Sequence, residues 1–495
     1  MSPDPLPVPL PFAVRRLARP IRVGARAHGA SAGLAALALA ALAGCATMAA
    51  PDRTLPETPV PAAWSEARTA DTAEPSSTSP AARAADLAQW WRNFDDPELA
   101  SLVARALEVN TSVRSAQAAL AQARAVRDVQ AAGLLPSVDG SASAQRARPA
   151  GGDASNRFQA GLDASWELDV FGRNRAALEA AEADARAAQA GLADVQVSLA
   201  AEVALAYLEL RSLQGRLEIA RRNLAAQNET LQLAQWRAQA GLTTSVEVEQ
   251  ARAAAEQTAA QVPVLETGIA QARHALAVLT GQAAGASQPA LEAARPVPRP
   301  AADLALAIPA ETLRQRPDVR QAEARIAAAL ARVSQADAAR YPSFRLGGSI
   351  GLSALTLSGL GGSAAIVNSL LAGLSIPLFD GGALQAQVRA QEASLEQARV
   401  GYQATVLNAL KEVEDALVAL RGDRERLARL QNAADAAANA ALLAQNRYAS
   451  GLIDFQVVLD TQRTLLNTQD SVASTLANVS ADHVRLYKAL GGGWK

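Results

Sequence analysis

Three histidines and a single cysteine are all that 495 residues offer for nucleophilic, acid–base or soft-metal chemistry. His274 and His483 fall at similar places in the two halves of the chain and read as surface or packing residues. Gly491-Gly492-Gly493 is followed by no helix whose free N–H groups could cradle a phosphate. One cysteine excludes an internal disulfide framework and a cysteine-rich metal site. Charge nearly balances, with 47 Lys+Arg against 48 Asp+Glu, and no basic block is present to attract nucleic acid. No enzyme activity, cofactor, metal or nucleic-acid partner is therefore expected.

The one cysteine has a different chemistry in view. Arg15, Arg16, Arg19, Arg22 and Arg26 precede an uncharged run from Gly29 to Pro51, the pattern of a secretory signal. Within it, Leu42-Ala43-Gly44-Cys45 resembles a bacterial lipobox: small residues fit a narrow peptidase site, and Cys45 becomes the lipid-attachment residue of the mature chain. The competing reading is an uncleaved membrane anchor, since about 20 apolar residues can span a bilayer. Arg15-Arg16 lacks the flanks of a twin-arginine signal. Ala46, rather than aspartate, follows the cysteine, which by resemblance to lipoprotein sorting signals implies transfer to the outer membrane. The prolines and Ser/Thr that follow, among them Glu74-Pro75-Ser76-Ser77-Thr78-Ser79-Pro80, make an extended tether.

What such an anchor would carry is one plan written twice. Asn110-Thr111-Ser112-Val113-Arg114 and Leu135-Pro136-Ser137 recur 206 residues later as Arg316-Pro317-Asp318-Val319-Arg320 and Tyr341-Pro342-Ser343. Ala234-Gln235-Trp236-Arg237 with Gly241-Leu242 recurs 210 residues later as Ala444-Gln445-Asn446-Arg447 with Gly451-Leu452. In each half a helix-forming stretch, 96–135 or 308–341, gives way to period-two alternation. Even positions Phe158, Leu162 and Trp166 are apolar, and odd positions Gln159, Asp163 and Glu167 are polar. Phe344, Leu346 and Ile350 repeat the pattern against Arg345 and Ser349. Strands are expected at about 137–147, 157–170, 343–354 and 369–378, as two hairpins long enough to cross a membrane.

Proline-free segments of 68 residues follow each hairpin, at 173–240 and 383–450, and a return helix follows each of these. At about 1.5 Å per residue such a helix reaches roughly 100 Å. Leu210, Leu213, Leu217, Ala220, Leu224 and Leu231 mark a helix-on-helix seam with one gap at Gln227. Four strands cannot close a barrel, and open edges are not tolerated in hydrocarbon, so the chain must oligomerise. Two copies give 8 strands, three give 12 and four give 16, and twelve or more leave a wet bore. A soluble sheet on a helical stalk would need more charge on its solvated face than these Ser- and Gly-rich positions carry.

Several stretches carry a family resemblance. Trp90-Trp91-Arg92-Asn93-Phe94-Asp95-Asp96-Pro97-Glu98-Leu99, Arg447-Tyr448-Ala449-Ser450-Gly451, Leu459-Asp460-Thr461-Gln462-Arg463 and Leu486-Tyr487-Lys488-Ala489-Leu490-Gly491-Gly492-Gly493-Trp494 resemble TolC-like outer-membrane factors. With the lipobox they are similar to the NodT/OprM-type lipoproteins of resistance-nodulation-division efflux systems. The resemblance implies a mainly α fold with a membrane β-barrel. A homotrimer would form a 12-stranded barrel in the outer membrane of a Gram-negative bacterium and a 12-helix tunnel across the periplasm.

It also implies a passive exit duct working with a periplasmic adaptor and an inner-membrane pump. Asp460 matches the family's ring-forming gate aspartate and Arg463 a basic residue beside it. Gln456, one turn earlier, departs from the bulky apolar residue of close relatives, and so from a hydrophobic plug at this level. The plainer reading of Asp460 and Arg463 is a solvated i,i+3 pair. The expected organisation is a signal at 1–44, tether at 45–83, first repeat at 84–293, linker at 294–308 and second repeat at 309–495. Competing functions are a lipid-tethered coiled-coil adaptor without a pore and the outer component of a type I secretion system.

Overall fold

The computed structural model describes Pro56 and residues 88–148, 150–286, 288–300 and 310–492. The signal, Cys45 and the tether apart from Pro56 lie outside the described residues. The described chain is mainly helical, with one four-stranded sheet. Helix α1 (Pro97–Val109) begins where Asp96 accepts from the N–H groups of Glu98 and Leu99, at 2.9 and 3.1 Å. The Tyr207 hydroxyl donates to the same carboxylate at 2.7 Å. Burial, then this bond, pushes the Tyr207 phenol up to about 12. Asn110 caps α2 (Thr111–Ala132) through the Ser112 N–H, and its amide donates to the Leu279 carbonyl at 2.9 Å. The helix-forming stretch 96–135 thus divides at Asn110, whose side chain replaces a helical turn.

Strands β1 (Ser137–Ala147), β2 (Ser155–Leu168), β3 (Ser343–Ala354) and β4 (Ile366–Ser375) are antiparallel in that order. The central β2–β3 pairing joins residues nearly two hundred positions apart, with Leu162 opposite Ile350, Trp166 opposite Leu346 and Leu168 opposite Phe344. Because the side-chain period is two, these pairings gather the apolar residues on one face. Val138 and Ala142 join it from β1, and Leu370, Ala372 and Leu374 from β4. The other face is polar: the Ser137 and Ser165 hydroxyls lie 3.0 Å apart, Ser141 donates to Asp163 at 3.2 Å, and the Ser349 and Ser369 hydroxyls lie 2.8 Å apart. β4 departs from the pattern, with Asn368 on the apolar face and Val367 and Leu371 on the polar one. Gly161 and Gly351 face each other with no room for a side chain: a Cβ on Gly351 would sit 2.7 Å from the Ala160 carbonyl oxygen. β1 and β4 are the edges of the sheet among the described residues. β4 stops at Ser375, ahead of Pro377, which has no N–H for a ladder.

Helices α3 (Arg173–Gln239) and α7 (Ala383–Ala449) each hold 67 residues. They are followed by α4 (Ser245–Ala259) and α5 (Gln261–Leu279), and by α8 (Phe455–Ala489). The first return segment breaks at Ala260 because Pro263 has no N–H to offer the preceding turn, whereas α8 runs unbroken. Helix α6 (Pro317–Ala338) lies along α3, where Arg332 pairs with Asp184.

At the upper end of α8, wholly buried Trp90 stacks on Tyr487 with ring centroids 5.5 Å apart. A Pro-rich strap, residues 288–300, crosses the helices nearby. Wholly buried Arg211 donates to the Ala293 carbonyl and to Gln214, both at 2.8 Å, and Gln214 donates to the Leu291 carbonyl at 2.8 Å. From α8, Ser480 donates to the Pro298 carbonyl at 2.9 Å. Arg316, also buried, donates to Asp318 at 3.0 and 2.8 Å, to Glu412 of α7 at 2.8 Å, and to the Ala489 carbonyl that ends α8. One guanidinium therefore fastens three helices.

Of the expected seam on α3, Leu210, Leu217 and Ala220 are buried, while Leu213, Leu224 and Leu231 are half-buried and flank the buried Asn223, Gln227 and Thr230.

Candidate functional site

The two helical hairpins turn in the same way. Gly241 and Gly451 adopt φ of 69° and 75°, the left-handed conformation that suits glycine. At the first turn the Gly241 N–H donates to Ala238 and Leu242 to Arg237; at the second, Gly451 donates to Tyr448 and Leu452 to Arg447. Both are Schellman closures that satisfy the last helical carbonyls.

Three side chains tie these turns together. The Tyr448 hydroxyl, at the end of α7, donates to Glu247 Oε2 of α4 at 2.7 Å. Arg237 of α3 donates to the Tyr448 carbonyl at 2.8 Å, and its guanidinium carbon lies 4.6 Å from the Tyr448 ring centroid. Phe455 packs against the same ring, tilted by 52°, with ring centroids 5.1 Å apart. Burial, then the Glu247 carboxylate, pushes the Tyr448 phenol up to about 12, so it stays a hydrogen-bond donor at every physiological pH. The pairing escapes a reading of the sequence: Tyr448 stands in a stretch that carries the family resemblance, but Glu247 lies 201 positions away and outside any motif.

Gln456, Asp460 and Arg463 lie on one exposed stripe of α8, three and four residues apart. Gln456 Nε2 donates to Asp460 Oδ1 at 3.1 Å. Among the described residues Arg463 makes no ion pair with Asp460. The aspartate therefore presents its second oxygen to the medium, and a chemistry of charge and hydrogen bonding is available here, without a nucleophile.

The second region is the sheet. Phe158, Leu162, Trp166, Phe344, Leu346 and Ile350 all lie on its apolar face. Leu162 is 53%, Ile350 58% and Leu370 89% exposed, a patch no soluble monomer would leave bare. Trp166 Nε1 donates to the Leu134 carbonyl at 3.0 Å, so its polar end is anchored while its ring keeps to the apolar side.

Elsewhere, His483 is buried beside Arg424, with Nε2 3.0 Å from the guanidinium, and His274 is exposed. Among the described residues no three His, Cys, Asp or Glu side chains gather as a metal set.

Comparison with known proteins points the same way. Residues 102–282 and 308–492 match the outer membrane efflux protein family. The toluene efflux pump outer membrane protein TtgF of Pseudomonas putida is 32% identical over 456 residues, 90% of this chain and 93% of that one. The pyoverdine export outer membrane protein OpmQ of Pseudomonas aeruginosa is 34% identical over 429 residues, 83% and 89% of the two chains. Among solved structures, the outer-membrane channel OprN superposes with a TM-score of 0.81 at 36% identity, covering 90% of this chain and 100% of that one.

Proposed function

The chain belongs to the outer membrane efflux protein family and is an outer-membrane efflux channel component; from that premise we propose that three copies close into one duct. The family is one of efflux channels, not of enzymes. The observation that carries the closed duct is the register of the sheet, which separates an apolar face from a wet one and leaves β1 and β4 as open edges. In hydrocarbon those edges need partners, and β4 of one copy against β1 of the next supplies them. Twelve strands enclose water, and the helices continue the bore as a 12-helix tunnel. From Leu168 opposite Phe344 to Phe158 opposite Ala354 is ten residue steps. That is about 33 Å along a strand, or about 25 Å of height at a 40° tilt, the apolar band of outer-membrane barrels.

Two ancestral copies of one unit, at 84–293 and 309–495 with a linker at 294–308, account for the order helix–strand–strand–long helix–return helix on either side of the strap. Acylated Cys45 holds the mature chain to the outer membrane through the tether at 45–83, after loss of the signal at 1–44. A periplasmic adaptor and an inner-membrane pump complete the assembly. Relatives named for cargoes as unlike as toluene and pyoverdine support a permissive bore, with cargo chosen upstream.

The turns form the gate. Three Asp460 carboxylates around one axis repel each other, and Gln456 offsets part of that charge while Tyr448, Glu247 and Arg237 hold each protomer's turns together. A docked adaptor opens the gate by binding the open form better than the closed one.

Two measurements test this reading. Unboiled, detergent-extracted protein from the outer-membrane fraction should run as a heat-sensitive trimer; release by salt or carbonate alone would favour a tethered scaffold instead. In planar bilayers, Tyr448→Phe should raise conductance, since each lost bond to a carboxylate is worth about 1.5–3 kcal/mol to the closed form. Asp460→Ala should lower cation preference. Unchanged conductance and selectivity in both variants would remove these residues from the gate.

A further inference from the structure

The long helices leave the sheet at one end only: β2 ends at Leu168 before α3, and β4 ends at Ser375 before α7. With those helices in the periplasm, the hairpin tips beyond Ala147 and Ala354 face the cell exterior. The two tips differ in charge. Residues 355–365 of the second hold no charged side chain, whereas the first hairpin gathers Arg146, Arg148 and Arg157 about Asp153. Along the apolar face β1 runs Val138, Gly140, Ala142, Ala144 and then Arg146, while β2 beside it runs Leu162, Ala160, Phe158 and then Asn156. One rank beyond Phe158 is two residues, about 7 Å along the strand or about 5 Å in height at a 40° tilt. The polar layer outside the hydrocarbon is about 5–8 Å deep on each side, so Arg146 stands at headgroup level. Arg148 follows, its Nε donating to the Gly152 carbonyl at 3.3 Å, and Arg157 belongs to the wet face, opposite Gln145. Among the described residues none of these three arginines forms an ion pair. At the helical end of the sheet, by contrast, Arg173, Arg175 and Arg340 pair with Glu167, Asp169 and Asp337.

We propose that Arg146 and Arg148 bind phosphates of the glycolipid that forms the outer leaflet, and that the lipid so held clamps the seam between two copies. The proposal rests on the closed-duct reading above. A guanidinium fork matches phosphate geometry bidentately and gives up its water more readily than an ammonium. Both cations stand at the rim of the lipid-facing wall, where phosphates are dense, and neither has a carboxylate to displace. Solubility alone would be served as well by charges on the second tip, which has none. In the closed duct β1 is the strand that meets β4 of the next copy. The outer end of β4 presents Ile366 and Leu370 on the apolar face, 57% and 89% exposed, an apolar wall for acyl chains next to the arginines. A ligand that binds the ring and not the separate copies stabilises the ring by mass action. Arg157 takes no part, because its face meets the water of the bore.

Full-length trimer, delipidated in neutral detergent, is tested with bisphosphorylated outer-leaflet glycolipid and with the same lipid after phosphatase treatment. The phosphorylated lipid should raise the temperature at which the parent trimer converts to monomer, and neither the dephosphorylated lipid nor inorganic phosphate should do so. Arg146→Gln with Arg148→Gln should lose this rise and retain at least about tenfold less phosphorylated lipid per trimer, while conducting as the parent does in phospholipid bilayers. Arg157→Gln should keep both the rise and the lipid. A double variant that matches the parent in lipid and in rise overturns the proposal. An equal rise from inorganic phosphate also overturns it, by making the site one for a free anion. Arg148→Gln alone, a change outside the strands, decides the matter should the double variant fail to assemble: retained lipid should fall, and an unchanged amount overturns the clamp. Parent trimers that take up no phosphorylated lipid sink the clamp alone, and a parent that never forms trimers sinks the closed duct with it.

Discussion

Leu162→Arg is expected to abolish recovery of heat-sensitive trimer from the outer membrane, while Gln159→Arg, three residues away on the same strand, leaves it near the parent level. Leu162 sits midway along β2 on the apolar face, opposite Ile350. Gln159 points to the polar face, opposite Ser143 and Ser353. A lipid-facing arginine at mid-depth in a barrel costs about 2–4 kcal/mol, so three copies bring about 6–12 kcal/mol against insertion. The same charge on the wet face meets water and costs little. Quantitative blotting of unboiled membrane fractions reads the result. Equal recovery of the two variants would mean that the apolar face does not meet lipid.

Arg316→Ala carries the second large effect, and this one needs no membrane argument. The guanidinium is nearly buried and has Asp318, Glu412 and the last carbonyl of α8 as partners. Burial works against its charge, yet the two carboxylates hold its pKa above the ordinary arginine value. Removing the cation strands both carboxylates and the carbonyl. Breaking such a buried pair costs about 3–5 kcal/mol, here toward the lower figure because Glu412 is half exposed and can hydrate. The temperature at which trimer converts to monomer should fall by about 3 °C, a chain of this length shifting by roughly 1 °C per kcal/mol. Arg316→Lys should recover part of the loss, since an ammonium keeps the charge without the planar fork. An unshifted conversion temperature in Arg316→Ala would show that the three helices are held by apolar packing alone.

The sheet faces were legible because alternation is a local signal: Phe158 to Leu168 announces its own apolar side, whatever strand lies beside it. The helical seam was legible in part: Leu210, Leu217 and Ala220 are buried as their spacing predicts, but Leu213, Leu224 and Leu231 are only half-buried, because spacing fixes a face only to within about one residue. Tertiary packing placed Asn223, Gln227 and Thr230 at the centre. The breaks at Asn110 and Ala260 followed from a cap and a missing N–H, features that a broad helical pattern smooths over. The links among Arg237, Glu247 and Tyr448 had no local signal at all, since only the meeting of two hairpins brings them together.

The pairing of β2 with β3 has a consequence for how the chain matures. Its partners are separated by nearly two hundred residues, so the sheet cannot begin to knit across its middle until β3 has followed β2 out. Helices, whose bonds are local, form long before that. During the interval two greasy ribbons with bare margins travel through an aqueous compartment, a state that invites aggregation. Joining strands so far apart carries a loop-closure cost that the two local hairpins do not meet, which lengthens that exposed interval.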